Sequence, residues 1–465
     1  MTEVQKLAAF AHAARYQQIS ARAVEQLKIR VLDTLGVAIA ALDARPTRAI
    51  RKLTEALGGN GASTLIGGGR SAPDRAAFYN VALSRYLDFM DSYLAPGETC
   101  HPSDNIGAVL AAADSVGASG KDFLTAVALA YQVQTRLSDV APVRAKGFDH
   151  TVQGAYAVPA AVGKLLGLDA GQLANAIAIS GTANNALRVT RTGDLSNWKG
   201  LAYPQVAKEG TFAALLAQAG ITGPQQVFEG NKGLKETITG PFTVDWAHED
   251  LESVLRTVVK KHNAEVHSQS SIDAALTIGT QTGFRADAIR TVRVKTFQVA
   301  YDIIGGGEEG DKRHIETKEE ADHSLPYLIA VALLDGQVLP AQFAPERILR
   351  PDVQTLLRKV VISPEAAFTR RFPAEMPTQV EVELIDGARF CVSAASFLGH
   401  TLQPLDWAAA GAKFHLLADP FTGGSAADRI AECVQDLDAH GIHDLTALLA
   451  KVPLRHWRDA ATQAA

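Results

Sequence analysis

The chain has 465 residues, 47% of them hydrophobic, with 45 Lys and Arg against 50 Asp and Glu for a formal net charge of −5. That length can bury more than one core, and the charge, with no long basic run, argues against nucleic acid as the main partner. Three dispersed cysteines, Cys100, Cys391 and Cys433, exclude a disulfide framework and any Cys-x-x-Cys metal or cluster element.

The first residues lack the basic and then apolar layout of a signal peptide, and no charge-free apolar run reaches transmembrane length. A cytoplasmic protein with no membrane partner is expected. Residues 4–43 follow a helical period, with Ser20 as N-cap of a second helix whose stripe is Val24, Leu27, Val31 and Leu35. A short helix is predicted at 47–57. The glycine clusters at 58–61 and 67–69 bracket a short extended piece. Neither has the Gly-Lys-Ser/Thr context of a phosphate loop, so both read as turns.

An amphipathic helix from about Pro73 is predicted to run on through Asp88, Asp91 and Ser92, whose i, i+3, i+4 spacing would put them on one face. Pro96-Gly97 then reverses the chain, and Ser103 or Asp104 would cap an apolar helix, Ile106–Val116, with His101 just ahead of it. Two carboxylates, a hydroxyl and an imidazole would thus gather beside the positive end of a helix, inside an apolar frame where ionisable groups are either paired or catalytic.

Helical patterns follow at 121–137, 150–166 and 170–186, dense in Ala and Leu. They predict a compact, mostly helical domain. His150 stands at a helix entrance after Arg144, Lys146 and Asp149. Arg188, Arg191 and Lys199 share a segment with Trp198, a make-up suited to carboxylate recognition, ahead of a helix at 201–219.

Beyond residue 255 the character changes. His262, Glu265 and His267 lead into a helix at 272–282, and 289–296 alternates with period two as a strand with one buried face. A glycine-rich loop, expected to be flexible, follows at 305–310, then a helix at 325–334. Residues 380–392 read as a hairpin around Asp386-Gly387. The expected fold is mainly α with an α+β second domain: 1–268 and 403–465 helical, 269–402 α+β. Dinucleotide, Gly-x-Ser-x-Gly and His-Glu-x-x-His motifs are all missing. With no metal or cofactor implied, the residues point to acid–base chemistry on an anionic substrate, with His101, His150 and His267 at helix starts.

The combination Asp88-Phe89-x-Asp91-Ser92 with His101-Pro102-Ser103-Asp104-Asn105 resembles the signature of the MmgE/PrpD family. The likeness recurs in order: Asp149-His150-Thr151, Lys199, the Asn263-to-Gln269 element with Glu265 and His267, and the Asp322-His323-Ser324 run leading to Tyr327. Departures stand at Met90, Ser92 and Asn263. The resemblance implies a helical domain built from both termini, an α+β lid, a cleft between them, a homodimer, and no required cofactor. It also implies a hydro-lyase on a small polycarboxylate, most of all dehydration of 2-methylcitrate in propionate catabolism. Decarboxylation of cis-aconitate, epimerisation of iminodisuccinate and non-catalytic polycarboxylate binding are the alternatives.

On that reading Asp88, His101, His150, Lys199, His267 and Tyr327 are catalytic, and Ser92, Arg191, Asp91 and Ser103 bind substrate. Lys199, helped by Arg191, would neutralise carboxylate charge. His101 and His150 would move the protons, Asp88 would orient a histidine, Ser92 would hydrogen-bond the substrate, and His267 and Tyr327 would come from the lid.

Overall fold

The Ala-rich helices of the first half can approach one another closely, and glycines mark where they do. The computed structural model describes residues 1–454, so 455–465 of the expected helical domain lie outside the described residues. In the helix Thr151–Leu165 a Cβ at Gly154 would lie 2.5 Å from the hydroxyl of Tyr203, and one at Gly210 would lie 2.8 Å from Val158. Those two glycines let Thr151–Leu165 and Ala202–Gln218 pack backbone to backbone. Gly107 does the same between Pro73–Tyr86 and Ile106–Val116, where a Cβ would sit 2.7 Å from Val81. Side-chain caps fix several starts: Ser20 accepts from the Ala23 amide, Ser119 from Asp122 and Asp169 from Gln172.

The chain forms two compact units. One holds Met1–Thr190, Gly200–Thr257 and the chain from Leu405 on; the other holds Arg191–Lys199 and Val258–Pro404. Compared with the expected boundaries, residues 191–199 and 258–268 fall in the second unit. The reason lies in their partners. Lys199 pairs with Asp322, the Glu265 amide donates to the Asp322 carbonyl at 3.0 Å, and the Asn263 amide donates to Val338.

The second unit is built on a mixed four-stranded sheet. Ile289–Thr296 pairs in parallel with Val360–Pro364 and antiparallel with Thr378–Leu384, which pairs antiparallel with Arg389–Ala394. Val292 and Val294 point inward from the alternating strand, and Val380, Val382 and Leu384 continue the buried face against the helices Gln269–Gly279 and Leu325–Asp335. The Asp386-Gly387 turn joins the last two strands, with Gly387 at φ 88°.

One expectation in the first unit is corrected. The helix ends at Tyr86, Asp88 takes φ 55°, and Asp91–Ala95 is a strand paired with Glu98–Cys100 around Gly97. Asp88, Asp91 and Ser92 therefore do not share a helix face. Aspartate tolerates the left-handed region better than most residues, and here that turn converts helix into hairpin. Nor does Ser103 or Asp104 cap the next helix, because a single turn, Pro102–Asn105, runs straight into it. No helix among the described residues is long and apolar enough to cross a membrane.

Candidate active site

In the first unit the hairpin and the turn Pro102–Asn105 meet at Asp91, which is fully buried. Its carboxylate accepts from the Ser103 amide at 3.0 Å and from the Tyr131 hydroxyl at 2.8 Å, with the Arg30 guanidinium 3.8 Å away. Burial pushes the Asp91 pKa up, and the Arg30 charge with the Ser103 and Tyr131 hydrogen bonds offsets only part of that. Asp91 and Ser103 are thus engaged with each other and with the protein interior.

The same residue orients His101 through its main chain. Nδ1 of His101 lies 2.9 Å from the Asp91 carbonyl and 3.0 Å from Ser92 Oγ. A carbonyl can only accept, so Nδ1 carries the proton, and the basic lone pair of the neutral ring is at Nε2. The ring of His150 meets that of His101 edge-on, centroids 5.1 Å apart. His150 Nδ1 is 3.4 Å from Asp149, whose carboxylate also accepts from the Thr151 amide at 3.1 Å. Two imidazoles, both buried, therefore share one small volume at the start of Thr151–Leu165.

Beside them Asp88 lies 3.3 Å from Arg85, which also approaches Asp104 at 3.8 Å. Arg85 donates to the thioether of Met90 at 3.4 Å, so the position where the sequence departs from the family pattern is packed against a guanidinium.

The second unit carries a separate cluster. Lys199 Nζ lies 2.5 Å from Asp322 and 2.8 Å from Nδ1 of His323, and Lys318 holds the other Asp322 oxygen at 2.7 Å. Burial alone would raise the Asp322 pKa. The Lys199 and Lys318 charges and the His323 hydrogen bond outweigh it and hold the carboxyl far below the usual range. Lys199, expected to meet substrate carboxylate, is thus ion-paired within the protein. Arg191 is buried at the start of the same segment.

His267 belongs to a carboxylate–imidazole dyad. Glu265 accepts from His267 Nδ1 at 2.6 Å and from its amide at 2.7 Å, while Phe297 and Phe372 pack on the ring. Burial opposes ionisation of Glu265, yet His267, His323 and Lys260 together hold its pKa low. The buried Nε2 of His267 has no hydrogen-bond partner among the described residues. Tyr327 stands apart from these groups: its hydroxyl donates to the Gln342 carbonyl, and its ring packs near Phe343 in the core. Within either unit taken alone, no three His, Cys, Asp or Glu side chains converge as metal ligands among the described residues.

These geometries lie in two stretches that match known family profiles. The MmgE/PrpD N-terminal domain matches residues 5–247 and the MmgE/PrpD C-terminal domain matches 262–439. The chain belongs to the MmgE/PrpD family. Among its MmgE/PrpD relatives, 2-methylcitrate dehydratase of Salmonella typhi is 28% identical over 424 residues, covering 84% of this chain and 85% of the relative. The enzyme of the same name from Escherichia coli K12 is 28% identical over 398 residues, covering 77% and 78%. Cis-aconitate decarboxylase of Mus musculus is 25% identical over 475 residues, covering 96% and 93%.

Sequence reasoning singled out both histidines of the first cluster and the one in the dyad. It missed Arg85, and it quoted Asp322, His323 and Glu265 as parts of family elements without giving them a role. The Glu265-x-His267 spacing was a usable signal for the dyad. The partnership of Lys199 with Asp322, 123 residues away, left none.

Proposed function

We propose that this MmgE/PrpD chain is a cofactor-independent hydro-lyase that dehydrates a citrate-like tricarboxylate, 2-methylcitrate above all. The observation that carries the reading is the buried His101–His150 pair, with the His101 tautomer fixed by the Asp91 carbonyl. Dehydration needs a base for a weakly acidic proton alpha to a carboxylate and an acid for a poor leaving group. Two imidazoles in ring contact can fill both roles, each worth on the order of 10²–10⁴-fold. The names of the relatives support the hydro-lyase reading, while the mouse relative keeps decarboxylation as the alternative within the family.

A second reading puts the proton-abstracting base on the Glu265–His267 dyad. A carboxylate fixes its tautomer in the same way, and its Nε2 is buried without a partner among the described residues. Single variants separate the two. His101→Ala is expected to lower kcat by on the order of 10²–10⁴-fold with the fold retained. If only His267→Ala does so, the base lies on the dyad.

The test of the reaction is proton NMR in deuterated water, with chelator-treated protein and 2-methylcitrate, citrate, cis-aconitate or iminodisuccinate. An alkene formed from 2-methylcitrate or citrate supports the hydro-lyase. Loss of carbon dioxide, or exchange at a stereocentre alone, replaces it with a decarboxylase or an epimerase. A thermal shift with citrate but no product over hours would leave a binding protein.

A further inference from the structure

A cavity of about 460 Å³ in the first unit lies where the end of the helix Glu3–Ala13 meets the start of Gly120–Val140 and the end of Thr151–Leu165. Each of these segments brings a cation to its wall: Arg15, Lys121 and Lys164. Two of them converge on one atom. Arg15 Nη1 and Lys164 Nζ both donate to the His12 carbonyl at 2.7 Å, and Nη1 also reaches the Ala14 carbonyl at 2.9 Å. The Lys121 ammonium lies 5.6 Å from the ring centre of Tyr16, another residue of the wall. The charged ends are thus placed against the lining itself. Arg15 and Lys121 are exposed and Lys164 is half-buried, so all three can be reached from solvent.

That positive charge is uncompensated. None of the three cations forms a salt bridge among the described residues. Asp122, the carboxylate of the wall, accepts from the Ser119 hydroxyl at 2.6 Å. Burial and then the Arg15 charge lower the Lys164 pKa to about 8, and Asp122 offsets only part of that. Asp438, which accepts from the Tyr16 hydroxyl at 2.8 Å, is already paired with Lys28. The carbonyls that end Glu3–Ala13 favour Arg15 and Lys164, and capping would be role enough for those two. It does not account for Lys121, which stands in the first turn of Gly120–Val140, the positive end, where a cation is disfavoured. Donors also remain. Nε and Nη2 of Arg15, two of the three Lys164 protons and the whole Lys121 ammonium make no hydrogen bond among the described residues.

We propose that this cavity binds the dianionic phosphate group of a small molecule, held by the Arg15 guanidinium and the Lys121 and Lys164 ammoniums. A dianion matches three cations set against one carboxylate. A guanidinium edge beside two ammoniums is also a donor set that phosphate oxygens take well. The volume exceeds that of a phosphate ion and leaves room for the organic part of a phosphomonoester. Free phosphate is the other source of the same chemistry. Either one gives Lys121 the counter-charge that its place at a helix start lacks.

The test is isothermal titration calorimetry of the full chain with inorganic phosphate, glucose 6-phosphate and glucose. Both phosphates are expected to bind saturably with Kd in the millimolar range or below, and glucose not at all. Tighter binding of glucose 6-phosphate assigns the site to a phosphomonoester, and equal or tighter binding of inorganic phosphate assigns it to the free ion. Arg15→Gln and Lys121→Gln should each weaken phosphate about tenfold, the value of one charge-assisted hydrogen bond. Lys121→Gln should hold or raise Tm, which separates weaker binding from misfolding. Sulfate, a dianion at every pH used, ties the binding to Lys164. Binding needs the ammonium, which is present below about pH 8 and lost above it. Sulfate affinity should therefore fall about tenfold between about pH 7 and pH 9, and Lys164→Gln should remove that dependence. No saturable binding of either phosphate, an undiminished affinity in Lys121→Gln, or a sulfate pH dependence that survives Lys164→Gln would overturn the proposal.

Discussion

The tautomer of His101 depends on a carbonyl more than on a hydroxyl. Ser92 Oγ and the Asp91 carbonyl both lie within 3.0 Å of His101 Nδ1, but only the carbonyl is restricted to accepting. Ser92→Ala should therefore leave the tautomer in place and lower kcat less than tenfold, well short of the His101→Ala effect. A larger loss in steady-state kinetics would mean that Ser92 touches substrate or proton directly. Lys413 works on the same turn from the helix Trp407–Thr422. Its ammonium lies 2.7 Å from Asp33, donates to the Phe89 carbonyl at 2.7 Å, and sits 3.9 Å from the Phe89 ring centre, next to the left-handed Asp88. Lys413→Met would leave the Asp33 carboxylate buried without its main counter-ion, which should cost about 3–5 kcal/mol in urea unfolding. Adding Asp33→Asn should recover part of that cost. No recovery would show that the carbonyl contact at Phe89, rather than the ion pair, is what Lys413 supplies.

Among the elements, those that packing made periodic were the ones legible in the sequence. The helices from Pro73, from Thr151 and from Ala170, the alternating strand Ile289–Thr296 and the Asp386-Gly387 turn all follow from spacing and turn chemistry. The stretch 87–95 does not. Leu-Asp-Phe-Met-Asp-Ser continues a helical pattern, and what opposes it is tertiary: Lys413 on the Phe89 carbonyl, 324 residues away. The segment 191–199 failed for the same reason, since Asp322, remote in sequence, draws Lys199 into the second unit. The Gly154 contact links an element to the site. Tyr203 donates to Asn105 at 2.9 Å, and Asn105 donates to the Pro102 carbonyl at 2.9 Å, in the turn that carries on from His101. Gly154→Ala is expected to cost about 1–3 kcal/mol by overpacking. Because the displaced group would be Tyr203, kcat should fall as well. A destabilised variant with unchanged kcat would show that Tyr203 supports only the fold.

Across the whole molecule, the buried acids of the two units respond to acid in opposite senses. In the first unit burial raises Asp33, Asp91 and Glu98 above their ordinary values of 3.8, 3.8 and 4.5. A group raised in the folded state favours folding when protonated, so its contribution is complete below the unfolded value and is lost as pH rises through the folded one. Asp114, also buried, works the other way there, because its hydrogen bonds from Thr64 and Thr446 outweigh burial, so that unit sets three raised buried carboxyls against one lowered. In the second unit Asp322, Glu265 and Asp273 lie below their ordinary values, because their cationic partners outweigh burial. Their contribution is complete above the unfolded values and is lost as pH falls through the folded ones. Lowering the pH from neutral toward about 5 should therefore leave the first unit as protected as before or more so. Below about pH 4 the second unit should loosen first. Hydrogen exchange followed by mass spectrometry, corrected for intrinsic rates, reads this directly. Peptides from Ile289–Thr296 and Thr378–Leu384 should lose protection before those from Gly120–Val140 and Thr151–Leu165. Simultaneous loss in both sets would mean that the two units unfold as one, and that the opposed carboxylates cancel within a single transition.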